Sequence, residues 1–173
     1  VEMDSVKILI EQAINKISLP QAFVAFVFLL GALVLRKVSI VVLNRYARRI
    51  VKLSRTEIDD LLLKALEKPL TEGILLLGFY LAARSFSLPP RLSAGVDTAF
   101  SILLSVLISW LMLRMVGVLT HILHGWAKKT DTALDDQLVP LVNRAARVAV
   151  GMLAALLILQ NMGYSISGLI AGL

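Results

Sequence analysis

The 173-residue chain is 58% hydrophobic and 17% charged, with a mean hydropathy of +0.82. That is more apolar than the roughly 45–50% of soluble domains, and too little charge remains to cover a soluble surface, which points to a helical membrane protein. The net charge of +6 fits membrane orientation better than nucleic-acid binding, and the absence of cysteine excludes disulfides and thiolate metal sites.

In chain order, residues 4–18 read as an amphipathic helix. Val6, Leu9, Ile10, Ala13, Ile14 and Ile17 recur at helical spacing, and the charges take the other face. Such a helix lies either on a protein surface or in the membrane interface, and residues 1–19 are assigned to an interfacial or extracytoplasmic element. No apolar core of a secretory signal interrupts its charges. The chain begins at Val1 and stops at Leu173 inside an apolar stretch, so a piece of a longer chain is expected.

Residues 20–43 form the first spanning candidate. From Pro20 to Arg36 the helical rise is roughly 24 Å, most of a hydrocarbon core, and Arg36 and Lys37 then reach headgroups. The helix is expected to continue through residues 38–53. A second long helix is read over 57–88, with a mixed first part and an apolar run from Gly73 to Ala83. Ser87-Leu88-Pro89-Pro90 is a break. A third helix is read over 96–124, uncharged from Thr98 to Leu113, and a fourth over 133–162, ended by Asn161-Met162-Gly163. The fold class is therefore an all-α membrane protein. Two transmembrane hairpins, residues 20–88 and 96–162, are followed by the start of a fifth helix at 163–173.

The two hairpins resemble each other. Leu35-Arg36-Lys37-Val38 parallels Leu113-Arg114-Met115-Val116, and Thr56-Glu57-Ile58-Asp59-Asp60 parallels Thr132-Ala133-Leu134-Asp135-Asp136. With four crossings, fourteen of the 18 Lys and Arg residues fall on one side of the membrane. The positive-inside rule places residues 45–68 and 125–137 in the cytoplasm and the N-terminus outside.

Few residues carry chemistry. Neighbouring carboxylates such as Asp59/Asp60 point about 100° apart on a helix and do not converge on a metal. Thr56-x-x-Asp59 and Thr132-x-x-Asp135 instead match a helix start, with the threonine as cap and acids complementing the dipole. His121 and His124 share a helix face without a third ligand, and Trp126 suits the interface. Arg144 and Arg147 lie one turn apart near the cytoplasmic end, where snorkelling avoids the roughly 2.5–3.5 kcal/mol of a central arginine. With Arg36 and Lys37 they are candidate lipid-headgroup contacts. Gly168-x-x-x-Gly172, with Ala171, offers a small-residue face for close helix packing. No catalytic, cofactor or metal motif is present, so no enzyme is expected.

The run from Asp135-Asp136-Gln137-Leu138-Val139-Pro140-Leu141 to Leu159-Gln160-Asn161-Met162-Gly163-Tyr164-Ser165-Ile166-Ser167-Gly168-Leu169-Ile170-Ala171-Gly172-Leu173 resembles the small-conductance mechanosensitive channel (MscS-like) family. It looks like the helix before the pore helix, the turn, and the first residues of the pore helix. The first hairpin looks like the extra N-terminal helices of larger members. The resemblance implies a homoheptamer in a prokaryotic inner membrane, opened by tension. Ion efflux through it would be weakly selective and would protect against osmotic shock. Gly168, Ala171 and Gly172 would pack the pore helices, and the partners would be membrane lipids, conducted ions and further copies of the chain, with no nucleic acid. The competing readings are a membrane transporter, which requires ionisable or broken-helix sites near the midplane, and a non-conducting membrane scaffold.

Overall fold

The computed structural model describes residues 18–53, 57–127 and 135–164. All but Ser18 of the expected amphipathic helix, and the small-residue segment at Gly168, Ala171 and Gly172, lie outside the described residues. Within them the chain forms four helices: α1 (Leu19–Leu53), α2 (Glu57–Arg84), α3 (Pro90–Ala127) and α4 (Asp135–Asn161). This is an all-α membrane protein.

Local chemistry sets the ends. Ser18 precedes α1, and its backbone N–H donates to the Gln21 side chain at 3.3 Å, one arm of a capping box. Pro20 sits in the first turn, where a missing N–H costs nothing. α2 stops at Arg84, earlier than residue 88, because Ser85 turns its hydroxyl back onto the Leu81 carbonyl at 2.8 Å and Pro89 and Pro90 follow. α3 starts at Pro90, six residues before the expected start. A proline at the first helical position is preorganised for the helix, and the Pro89 carbonyl accepts from Leu92 and Ser93. α4 closes in a Schellman turn. Tyr164 N–H donates to Leu159 O and Gly163 N–H to Gln160 O, both at 3.0 Å, while Gly163 takes a left-handed φ of 92°.

The helices stand side by side in a single row, each touching only its neighbours in the chain. Neighbours run antiparallel. Gln21 meets Ser87, Phe28 and Ala32 meet Gly78, and Arg36 meets Glu72, so α1 and α2 share one register. Antiparallel packing gathers the basic C-terminal halves of α1 and α3 with the N-terminal halves of α2 and α4 at one end of the row, called here the basic end.

Among the described residues, three helices are long and apolar enough to cross a membrane: Leu19–Arg45, Pro90–Gly125 and Leu138–Asn161. α2 falls short because Lys64, Glu67, Lys68 and Glu72 interrupt its apolar pattern, although it lies between α1 and α3 along their apolar lengths. The row has no core of large side chains. Its buried positions are small or short: Ala25, Ala32, Ala65, Ala82, Thr71 and Ser105 among them. Phe23, Phe79 and Met152 are more than 60% exposed. That inversion is what lipid solvation requires, since tails are as apolar as leucine and helices associate through close backbone approach.

The tightest approach is between α1 and α2, where Gly78 faces Ala32. A β-carbon at position 78 would overlap the Ala32 methyl group. G78A should therefore destabilise the membrane region by about 1–3 kcal/mol, the usual cost of overpacking. Adding A32G should recover most of the loss, as read by denaturation in detergent.

Candidate functional site

The functional elements among the described residues are those that order the row and those that face outward from it. Polar ties at the helix interfaces do the ordering. At the α1–α2 interface, Arg36 Nη2 donates to Glu72 Oε1 at 2.6 Å. Arg36 lies 17 residues beyond Leu19, about 26 Å along α1. The sequence predicts that it snorkels to headgroups; the structure directs it onto a carboxylate of the neighbouring helix.

At the α2–α3 interface, Pro69 lies inside α2. Proline has no N–H, so the carbonyl four residues back, that of Ala65, loses its helical donor. Arg114 of α3 approaches this break: its Nη1 donates to the adjacent Lys64 O at 3.0 Å and reaches Ala65 O at 3.5 Å, the outer limit of a hydrogen bond. The Arg114 guanidinium also lies 4.8 Å from the centre of the Trp110 ring, within cation–π range. Towards the opposite end, Tyr80 donates to Asp97 at 3.0 Å and stacks on Phe100, and Arg84 approaches Asp97 at 3.6 Å.

At the α3–α4 interface, Asn161 Nδ2 donates to Ser105 Oγ at 2.8 Å and to Ser101 O at 3.3 Å. Each of the three interfaces thus combines short side chains with a polar tie.

Of the sequence-predicted residues, Lys37, Arg144 and Arg147 are exposed, and Arg147 donates to Asn143 one turn back on α4. Asp59 lies in the first turn of α2, as a dipole-complementing acid should. Its cap Thr56, and Thr132 with the side chain of Asp135, lie outside the described residues. His121 and His124 are both exposed, and no cluster of metal-ligating side chains occurs among the described residues.

Sequence reasoning missed Glu72, the Pro69–Arg114 relation and the Asn161–serine seam. Two signals were available: a proline inside an otherwise helical segment, and serines repeating every fourth residue at 101, 105 and 109.

Among the described residues, a row of helices with large apolar side chains outward and polar ties between neighbours is that of an integral membrane protein. Comparison with known proteins gives its family. The chain is 34% identical over 145 residues to the large-conductance mechanosensitive channel MscMJLR of Methanocaldococcus jannaschii, covering 82% of this chain and 40% of that protein. It is 28% identical over 160 residues to the small-conductance mechanosensitive channel MscMJ of the same organism, covering 92% and 45%. The MscS family protein YhdY of Bacillus subtilis is 24% identical over 153 residues, covering 88% of this chain and 41% of YhdY. No protein-family profile and no solved structure matches. The chain belongs to the MscS-like family of mechanosensitive channels, and it spans about two fifths of the length of the relatives it matches.

If Arg114 serves the carbonyl that Pro69 leaves open, the two residues are coupled. R114Q should destabilise the wild-type membrane region by about 0.6–1.7 kcal/mol, the range for hydrogen bonds between membrane helices. In a P69A background, where the carbonyl regains its helical donor, R114Q should cost much less. A double-mutant cycle in detergent measures the difference, and strictly additive costs would refute the relation.

Proposed function

We propose that the full-length protein containing these helices is a subunit of a mechanosensitive ion channel, opened by membrane tension and weakly selective among ions, which releases solutes under osmotic stress. It assembles as a homo-oligomer, a heptamer by family resemblance, in a prokaryotic inner membrane. The basic end faces the cytoplasm and the N-terminus lies outside. The observation that carries the reading is likeness to two proteins named as mechanosensitive channels over more than four fifths of this chain.

The single-row fold supports it physically. Tension does work on any increase in in-plane area, and so shifts the population towards whichever state occupies more membrane. A row one helix thick meets lipid along both broad sides until something covers one of them, so lateral stress reaches every helix directly. In this reading residues 163–173 begin the pore helix, with Gly168, Ala171 and Gly172 at its packing face. Residues 20–88 and 96–162 form two transmembrane hairpins. α2 crosses with two of its carboxylates paired, Glu72 with Arg36 and Asp60 with Lys64.

Patch-clamp recording of the full-length protein in liposomes should give stretch-activated current with little preference among small ions. Cysteines at Gly168 or Ala171 should react with water-borne thiol reagents faster in the open state. A protein that stays silent up to lytic tension, with both cysteines unreactive, is the outcome of the scaffold reading.

Arg144 and Arg147 are exposed near the basic end of α4 and suited to anionic headgroups, at about 1 kcal/mol for each cation near a charged surface. R144Q/R147Q should reduce co-purified anionic lipid measurably, whereas R36Q, which removes a guanidinium engaged by Glu72, should reduce it less.

A further inference from the structure

Asn161 is the last residue of α4. Two residues later Gly163 reverses the backbone direction with its left-handed φ, and the turn is hydrogen-bonded back to Leu159 and Gln160. The same asparagine is bound to the neighbouring helix. Its amide donates to Ser105 Oγ and to Ser101 O, and Ser105 Oγ in turn donates to Ser101 O at 2.8 Å. One turn further along α3, Ser109 Oγ donates to Ser105 O at 2.7 Å. Ser105 and Ser109 are only 7% and 8% exposed. On α4, whose helix neighbour among the described residues is α3, the buried side chains are Val139 and Val150. The cationic groups of α4, Arg144 and Arg147, lie in its first half, Arg147 next to the midpoint.

An apolar seam in lipid resists axial sliding weakly, because every register buries similar surface. A directional amide–hydroxyl contact selects one register, since a displaced Asn161 would lose both of its acceptors on α3. The contact sits where the chain leaves α4, so it fixes both the helix and the turn against α3.

We propose that Asn161 is a positioning residue for gating: through Ser105 and the Ser101 carbonyl it couples α3 to the turn at residues 162–164, so that displacement of α3 under tension carries the start of the following segment with it. The gating role rests on the proposed channel function; the tie itself does not.

The test uses the full-length protein with N161A, S105A, the double variant N161A/S105A, and S105T, which keeps the hydroxyl. In liposome patches N161A and S105A should each raise the midpoint tension, lowering the open-to-closed ratio by at least roughly threefold at the tension that half-opens the wild type. The double variant should shift no further than the larger single one. Unit conductance should stay unchanged, because the pore itself is untouched, and S105T should gate like the wild type. In lipid nanodiscs, amide exchange at residues 162–164 should quicken in both alanine variants. Unchanged exchange and unchanged midpoints in both, or shifts that simply add, overturn the proposal. A wild-type protein silent under stretch removes the channel reading and the gating role with it, while faster exchange in the variants would still establish the tie.

Discussion

Every helix here has at most two neighbours, and the row is one helix thick. That constraint governs the rest. In water the uncovered apolar faces would cost about 25 cal/mol per Å², a penalty that no single-layer protein survives. In lipid the penalty vanishes, and so does the force that would press the helices together. What remains is close contact and hydrogen bonding. Ala25, Ala32, Gly78 and Ala82 bring α1 and α2 backbone to backbone, while phenylalanines and leucines point away into the surroundings. A water-soluble bundle would place those side chains the other way round.

The second consequence concerns polar atoms. Without water each must find its partner within the protein. The row meets much of this demand at its interfaces, although the buried Arg36 Nε has no partner among the described residues. α1 gives an arginine to a carboxylate of α2, α3 gives an arginine to carbonyls of α2, and α4 gives an amide to α3. The two arginine ties lie towards the basic end and the asparagine tie towards the other. The second tie lies at a break in α2: Pro69 removes the donor to Ala65 O, and Arg114 bonds the neighbouring Lys64 carbonyl and comes within 3.5 Å of that of Ala65. The hydroxyl of Thr71, two residues on, is likewise folded back onto the Glu67 and Lys68 carbonyls.

Much of this was legible in the sequence because the signals were local. Apolar run lengths located the helices, and the Ser87–Pro90 and Asn161–Gly163 breaks located two turns. The turn at Gly163 needs a residue free to adopt positive φ, and glycine supplies it. Boundaries slipped where a proline could be read two ways. Pro90 looked like part of a loop and serves as a helix start. The ties were not legible, because Arg36 and Glu72, or Asn161 and Ser105, are brought together by helix register, and register depends on which small residues meet across an interface. The hairpin likeness shows the same limit. Arg36 and Arg114 occupy matching places in the two hairpins, yet Arg36 binds the returning helix of its own hairpin and Arg114 binds the helix of the other. Similar local sequence supplies similar cations, and the packing around each decides what it holds.

The division of labour between seams and ties bears on how such a row responds to lateral force. A seam of alanine and glycine offers nearly the same contact when one helix slides by a small step along another, so it opposes motion softly. A hydrogen bond to a single carbonyl or hydroxyl tolerates only a few tenths of an ångström before it weakens. Polar ties at every interface, with Gln21–Ser87 a second one between α1 and α2 and Tyr80–Asp97 a second one between α2 and α3, leave the row compliant between its fixed points and stiff at them. Displacement applied to α1 can pass through Glu72 and Ser87 to α2, from the Lys64 carbonyl and Tyr80 to Arg114 and Asp97 on α3, and from the α3 serines to Asn161. The last fixed point sits at the turn out of α4, so the ties make one continuous connection from the first helix to the chain that follows the fourth. A row held by apolar contact alone would share the same outline, but each helix could yield to lipid without moving the next.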